Sequence, residues 1–82
     1  MPQSVQNDKI TWAEVADLKA IGARLRTKRK QMGLTQNEAA GLCNVGVRFI
    51  SELENGKSTM QFDKVLKVLK RFGFAFGMRE KR

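Results

Sequence analysis

Apolar side chains recur at helical spacing in the first third of the chain, after ten residues without periodicity. The stripe consists of Val15, Leu18, Ile21, Leu25 and Met32. It predicts a helix that begins at the capping box Thr11–Glu14 and ends at Gly33. Asp17 or Gly22 would divide this helix into a short leading segment and a main one. Residues 1–10 are expected to form a flexible arm.

Two short helices are predicted in the middle of the chain. Thr35 and Glu38 form another capping box, which opens a helix that ends near Cys43. A tight turn over residues 44–46 follows, and the next helix ends at Asn55–Gly56. The inner side of this second helix carries three apolar residues, Phe49, Ile50 and Leu53. Two short helices joined by such a turn are typical of a helix-turn-helix motif.

The C-terminal third predicts one more helix and then a change of period. Ser58 or Thr59 is the expected N-cap of this helix, and Gly73 ends it. Its apolar stripe is Phe62, Val65, Leu66, Leu69 and Phe72. Beyond Gly73, apolar residues alternate with small or charged ones, which indicates a short half-buried strand. The alternating residues are Phe74, Phe76 and Met78.

A single strand needs a partner for its backbone hydrogen-bonding groups. Since no other strand is evident in the sequence, we expect the same strand of a second copy to pair with it about a twofold axis. The alternative is a frayed aromatic tail that lies on the domain. The predicted fold class is all-α, a compact domain of four or five helices with a short C-terminal β-strand. The predicted boundaries are an arm at 1–10, a helix-turn-helix domain at 11–73, and a dimerising strand and basic tail at 74–82.

Charge is unevenly distributed over the chain, whose formal net charge is +8 from 16 Lys and Arg and eight Asp and Glu. Residues 24–33 carry five cations and no acid, and residues 64–82 carry a net charge of +6. The residues between these two blocks are slightly acidic. Two basic blocks in so small a domain favour a nucleic acid as the partner over ordinary solvated faces.

The residue types argue against catalysis. The chain has no His, the commonest general base and metal ligand, and a single Cys. We therefore expect no enzyme activity, no cofactor and no metal site. Cys43 is expected to be a buried, small apolar residue in a reducing cytoplasm. Because no apolar run approaches the roughly 20 residues of a membrane span, no membrane partner is expected.

The two central helices resemble those of the Cro and phage-repressor (XRE-type) DNA-binding family. The resemblance rests on the run Leu34–Ala40, then Val45, Ile50–Ser51 and Leu53–Lys57, and it covers about residues 21–72. Leu-Thr-Gln, Ile-Ser and Glu-Asn-Gly-Lys stand at the distances typical of the family. The resemblance implies a lambda-repressor-like fold, in which the second helix of the motif enters the major groove of double-stranded DNA.

Four outward residues of that helix are the base-reading candidates: Val47, Arg48, Ser51 and Glu52. Arg48 is the strongest candidate, because a guanidinium can bind O6 and N7 of guanine together. Val47 suits a thymine methyl, and Ser51 can donate to a base or a phosphate. For Glu52 two roles are open: it accepts from cytosine N4, or it pairs with Arg48 at i, i+4.

Five further residues are the phosphate-binding candidates: Arg29, Gln36, Asn55, Lys57 and Ser58. Gln36 lies at a helix start, where side chain and backbone N–H groups can face a phosphate. The resemblance implies that Arg29 pairs with Glu54, and a purely structural ion pair is the alternative. Gly46 stands where the family commonly has a Ser or Thr N-cap. Phe49 is larger than usual, and it either packs inward or reaches the sugar-phosphate wall.

One helix-turn-helix reads few base pairs, so specific binding implies a homodimer on a palindromic operator. Phe74, Phe76 and Met78 are the dimerisation candidates. A repressor domain followed by such a strand resembles the HipB-type antitoxins, which implies an autoregulating repressor with a HipA-type kinase toxin as partner. The alternatives are a stand-alone phage-like or operon repressor and, in another class, a protein-interaction module that does not bind DNA.

Overall fold

Four helices form the fold of residues 12–81, the part of the chain that the computed structural model describes. They are α1 (Leu18–Gln31), α2 (Gln36–Cys43), α3 (Val47–Glu54) and α4 (Phe62–Arg71). The helical order matches the predicted all-α fold, with α2 and α3 as the two short helices of the motif. Among residues 12–81 of the single chain no β-strand is formed.

The main helix α1 begins after Asp17, one of the two predicted division points, and not at the predicted capping box. Trp12 to Ala16 are non-helical, and Asp17 is the N-cap, with its carboxylate accepting a hydrogen bond from Ala20 N–H at 2.9 Å. The capping box Thr11–Glu14 was therefore the wrong start, and Thr11 itself lies outside the described residues. The choice of Asp17 agrees with the order of N-cap preferences, in which Asp ranks above Thr. At the other end, Gly33 follows the helix with φ +73°, as predicted, while Met32 is exposed rather than part of the buried stripe.

Gly22 does not divide α1, which is continuous through it. Instead it allows α1 and α3 to cross closely. A Cβ atom at this position would lie 2.0 Å from the Leu53 carbonyl oxygen and 3.0 Å from that of Glu54. This crossing places the middle of α1 directly against the C-terminal end of α3.

The two helices of the motif have the predicted caps. Glu38 N–H donates to Thr35 Oγ1 at 3.1 Å, and Thr35 N–H donates to Glu38 Oε1 at 2.8 Å. α2 ends at Asn44 in the left-handed conformation, with φ 57°. α3 begins at Val47 after Gly46, which has no side chain that could cap it.

The core lies between the four helices. Its fully buried large side chains are Leu25, Ile50, Leu53, Val65 and Val68. Cys43 is buried beside them, as predicted, and burial raises the pKa of its thiol despite the nearby charges of Arg71 and Lys67. The thiol is therefore kept protonated and acts as a small apolar group.

The last helix also begins later than predicted. Its N-cap is Gln61 rather than Ser58 or Thr59. The half-buried side chain of Met60 packs against the core, so the chain reaches the body of the domain before the helix starts. Phe62, which the pattern places on the apolar stripe, is exposed.

Cations of α4 hold the C-terminal end of α2. Arg71 Nε donates to the Leu42 carbonyl at 3.1 Å, and Lys67 Nζ donates to the Asn44 carbonyl at 3.4 Å. The last carbonyls of a helix carry partial negative charge, so these contacts stabilise the end of α2.

The C-terminal segment 74–81 is irregular in the single chain and lies on the domain. Phe74 is half-buried, and its N–H donates to the Leu69 carbonyl at 2.9 Å. The Phe76 ring meets the Phe62 ring edge-on at 5.7 Å between centroids. Met78, by contrast, is 96% exposed. Pairing of this segment with a second copy stays a prediction.

Candidate nucleic-acid interface

The outer side of α3 carries the four base-reading candidates. Val47 and Arg48 are exposed, with 86% of the Arg48 side chain accessible, and Ser51 and Glu52 are half-buried. This placement follows from the amphipathic pattern, because Ile50 and Leu53 occupy the inner side. The exposed start of α3 is the part of a reading helix that contacts base edges in this kind of motif.

Phe49 packs inward, one of its two predicted orientations. Its half-buried ring contacts the core, and Lys64 Nζ lies 5.9 Å from the ring centroid. A cation over an aromatic face is attracted by the ring quadrupole. The contact connects α3 to the first turn of α4.

Glu52 is paired with Arg48, as one of its two predicted roles requires. Its Oε2 accepts from Arg48 Nε at 3.1 Å and also from Lys57 Nζ at 3.2 Å. The hydrogen bond from Lys57 and then that from Arg48 lower the pKa of Glu52. A single carboxylate therefore stands between a base-reading candidate and a phosphate-binding candidate.

Glu54 holds a second, buried ion pair. Arg29 Nε donates to Glu54 Oε2 at 2.5 Å, and Arg29 Nη2 donates to Oε1 at 3.0 Å. Only 9% and 3% of these two side chains are exposed. Arg29 Nη1 donates to the Leu34 carbonyl at 2.8 Å, so three of the five guanidinium N–H groups are used inside the protein. This geometry favours the structural alternative for Arg29 over a direct phosphate contact.

Gln36 meets the same carboxylate. Its Nε2 donates to Glu54 Oε1 at 3.1 Å, which connects the first residue of α2 to the last residue of α3. Burial opposes ionisation of Glu54, but hydrogen bonds from Arg29 and Gln36, together with the charges of Arg29 and Arg26, keep its pKa below the usual value. Glu54 is therefore ionised and fixes the Gln36 amide at the start of α2.

The loop after α3 carries the remaining phosphate candidates. Asn55 Nδ2 donates to the Ser51 carbonyl at 2.9 Å, and the backbone N–H of Lys57 donates to the Glu52 carbonyl at 3.0 Å. Lys57 and Ser58 are both exposed. These bonds fix the loop against the end of α3.

Two cations close to this loop, Lys19 and Arg26, are not among the site residues predicted from the sequence. A Cβ atom at Gly56 would lie 2.6 Å from the Lys19 Cα atom, so the first turn of α1 contacts the loop. Exposed Arg26 lies close enough to Glu54 to lower its pKa. The sequence places both in or near a basic helix, but only the crossing of α1 with α3 brings them to the loop.

The dimerisation candidates form a separate surface. Phe74 lies beside the outward residues Ala20, Ala23 and Thr27 of α1, at the end of an open groove. The Trp12 ring lies next to Gly77. An exposed apolar cluster thus joins the two ends of the described chain.

Residues 12–81 show neither a metal-binding cluster nor a membrane-spanning helix. Within this range no group of three or more His, Cys, Asp or Glu residues could hold a metal ion. Over the same residues no helix has the length and apolar character needed to cross a membrane.

Comparison with known proteins identifies relatives of the motif. A family model described as helix-turn-helix matches residues 25–77. The uncharacterized HTH-type transcriptional regulator y4mF of Sinorhizobium fredii is 53% identical over 53 residues, which cover 65% of this chain and 70% of that protein. The family match contains α2, α3 and α4 and all nine base- and phosphate-contact candidates.

Proposed function

The chain belongs to the Cro/phage-repressor (XRE-type) helix-turn-helix family, and we propose that it is a sequence-specific repressor that binds a palindromic operator as a homodimer. The observation that carries this proposal is the arrangement around Glu54. Its buried carboxylate joins Gln36 at the start of α2 to the end of α3. One rigid unit thus presents a helix start for a phosphate and the outer side of α3 for base edges.

Arg48 is the proposed principal base contact. Its side chain is exposed near the start of α3, where the major groove would receive it. A bidentate contact with guanine supplies about 1–3 kcal/mol of discrimination against other bases. Val47 and Ser51 flank it on the same side and would contact a thymine methyl and a base or phosphate.

Phosphate contacts are proposed for Gln36, Asn55, Lys57 and Ser58. All four lie on the two surfaces that meet near Glu54, at the start of α2 and in the loop after α3. Arg29 acts through the ion pair that orients this corner. Exposed Arg26 is added as a cation near the same corner.

The proposed dimer uses the C-terminal segment. Phe76 and Met78 are exposed apolar residues in a segment without a regular backbone partner in the single chain. Pairing with a second copy would bury them, and binding to two adjacent half-sites would require the two copies of α3 to lie about 34 Å apart.

Truncation after Gly73 should shift the sedimentation profile toward monomer and weaken operator binding. Because this truncation also removes the core contact of Phe74, the double variant Phe76→Ser/Met78→Ser should accompany it. An unchanged sedimentation profile in both proteins would exclude this dimer.

We further propose an antitoxin role, in which the repressor controls its own operon and binds a HipA-type kinase toxin. The support is the combination of a repressor domain with an apolar C-terminal segment. A kinase-like reading frame beside the gene, whose product co-purifies with this chain, is the expected finding. Its absence would leave a stand-alone repressor.

DNA selection tests the main proposal. Random duplexes are selected with the protein, and binding to the recovered operator and to a scrambled duplex is then measured by fluorescence anisotropy. Affinity should fall steeply between 50 and 200 mM salt, by about 10³-fold or more if six or more phosphates are neutralised. Arg48→Ala should reduce operator preference by roughly 5- to 150-fold. Lys70→Ala, at an exposed position of α4, is the matched control.

Two results would contradict the proposal. Binding that does not change with salt, or no duplex recovered from the selection, would favour a protein-interaction module. Equal loss of affinity by Arg48→Ala on all duplexes would reduce Arg48 to a backbone contact.

A further inference from the structure

Glu52 occupies an unusual position for an acid on a surface that is to approach DNA. Its Oε2 atom receives hydrogen bonds from Arg48 at 3.1 Å and from Lys57 at 3.2 Å. Arg48 lies on the first turn of α3, whereas Lys57 lies in the loop beyond its end. The carboxylate is the least exposed of the three charged groups, at 28% against 86% and 47% for Arg48 and Lys57.

Folding stability does not explain this arrangement. Exposed ion pairs at i, i+4 contribute little to stability, because solvent screens them. A carboxylate near phosphates also opposes DNA binding through its charge. We therefore look for its role in the orientation of its two partners, Arg48 and Lys57.

The geometry gives such a benefit for Arg48. The carboxylate holds Nε, the group nearest the helix, and leaves Nη1 and Nη2 at the tip of the guanidinium for the base. Two parallel N–H groups at the tip match O6 and N7 of guanine. Lys57 donates to the same oxygen, Oε2, and so helps to hold the carboxylate in place, which orders the long Arg48 side chain before DNA arrives.

We propose that Glu52 is a positioning residue that determines specificity, because it fixes the guanidinium of Arg48 in the orientation that reads guanine. This proposal rests on the DNA-binding function proposed above. It makes an unusual prediction, since the carboxylate lowers affinity for DNA in general and raises preference for one base pair. Removal of its charge should change these two quantities in opposite directions.

Glu52→Gln is the test, with Asp63→Asn as the matched control. Both variants remove one negative charge, and Asp63 is exposed in the first turn of α4, outside the proposed DNA and dimer contacts. The base pair read by Arg48 is first identified as the operator position whose preference Arg48→Ala abolishes. Affinity is then measured for the operator, for the operator changed at that pair, and for a scrambled duplex.

Glu52→Gln is expected to bind the scrambled duplex more tightly than the wild type does. Discrimination is the ratio of the affinity for the operator to that for the operator changed at the pair read by Arg48. A bidentate contact supplies a ratio of roughly 5- to 150-fold, and Glu52→Gln should lower this ratio by about fivefold or more. Asp63→Asn should leave this discrimination unchanged. In the Arg48→Ala background, Glu52→Gln should cause no further loss at that pair, since the two residues act as one unit.

A second variant separates charge from geometry. Glu52→Asp keeps the charge but shortens the side chain by one methylene, so it should lose discrimination without gaining affinity for the scrambled duplex. If Glu52→Gln fails to fold, as judged by circular dichroism, this variant and its double mutant with Arg48→Ala still decide the matter.

Three outcomes would overturn the proposal. Unchanged discrimination in both Glu52 variants would show that Arg48 needs no positioning. Loss of preference at a different base pair would make Glu52 a direct cytosine contact. Additive losses in the double mutant would make the two residues independent. A wild-type protein that selects no duplex would instead contradict the DNA-binding function itself.

Discussion

The crossing of α1 and α3 predicts that one substitution, Gly to Ala, has opposite effects at two helical positions. Gly22 lies inside α1, where a Cβ atom would approach the Leu53 carbonyl oxygen to 2.0 Å and the Glu54 carbonyl oxygen to 3.0 Å. Gly41 lies inside α2, where no described atom outside its own helix and chain neighbours lies within 4 Å of an added Cβ. Both positions have helical backbone, so Ala is conformationally acceptable at both.

The magnitude follows from two contributions. Replacing Gly by Ala in a helix interior stabilises the fold by about 0.5–1 kcal/mol, and this gain applies at both sites. At Gly22 the added methyl group meets backbone atoms that cannot rotate away. The distance of 2.0 Å to the Leu53 carbonyl oxygen is more than 1 Å shorter than an ordinary contact of about 3.4 Å, so the two helices must move apart. Overpacking of this kind costs typically about 1–3 kcal/mol. Gly22→Ala should therefore be less stable than Gly41→Ala by at least about 1 kcal/mol.

Thermal unfolding followed by circular dichroism measures this difference. For a domain of 60–100 residues, about 1 kcal/mol corresponds to roughly 4–8 °C in Tm. Gly41→Ala should unfold above the wild type, and Gly22→Ala should unfold at least about 4 °C below Gly41→Ala. If Gly22→Ala instead raised the Tm as much as Gly41→Ala does, the close crossing of α1 and α3 would be wrong.

Three further predictions concern stability and reactivity. The ionised form of Glu54 stabilises the fold, because its pKa is below the usual value. This contribution is complete above the unfolded-state pKa of about 4.3 and is lost as pH falls through the lower folded-state pKa. Glu54→Gln should therefore weaken the fall of the unfolding free energy at acid pH, as measured by urea unfolding. An unchanged pH dependence would contradict this prediction. Thr35→Ala should cost about 0.5–2 kcal/mol through loss of the capping box, whereas exposed Asn37→Ala should change the unfolding free energy little. The Cys43 thiol should react with Ellman's reagent only as fast as the domain unfolds, so rapid labelling of the native protein would contradict its burial.

Local chemistry explains which helix ends could be predicted. The capping box of Thr35 and Glu38 and the positive φ of Gly33 depend on residues within one turn, so the sequence contains all the information needed. The start of α1 does not have this property. Thr11 and Asp17 are competing caps six residues apart, and the local pattern offers both without deciding between them.

The contacts of the candidate site also fall into local ones, which the sequence predicts, and long-range ones, which it does not. The pair between Arg48 and Glu52 spans one helical turn, so its i, i+4 spacing made it one of the two roles predicted for Glu52. The meeting of Gln36 with Glu54 joins residues 18 positions apart, and Lys57 on Glu52 depends on the path of a loop. The first contact is set by the angle between α2 and α3 and the second by the loop, and no local pattern encodes either.

Pairing of charges at the site limits how strongly salt can affect binding. If every unit of the +8 net charge neutralised a phosphate, the slope of log affinity against log salt would be about −7 per protomer. Arg29, however, is buried against Glu54, and much of the remaining excess lies beyond residue 63. Lys19, Arg26 and Lys57 are the exposed cations at or beside this loop that are free to meet phosphates, since Arg48 is assigned to a base, and three such contacts give a slope of about −3 per protomer. A measured slope near −7 would mean that α4 and the C-terminal segment contact DNA directly, whereas a slope near −3 assigns them to long-range attraction.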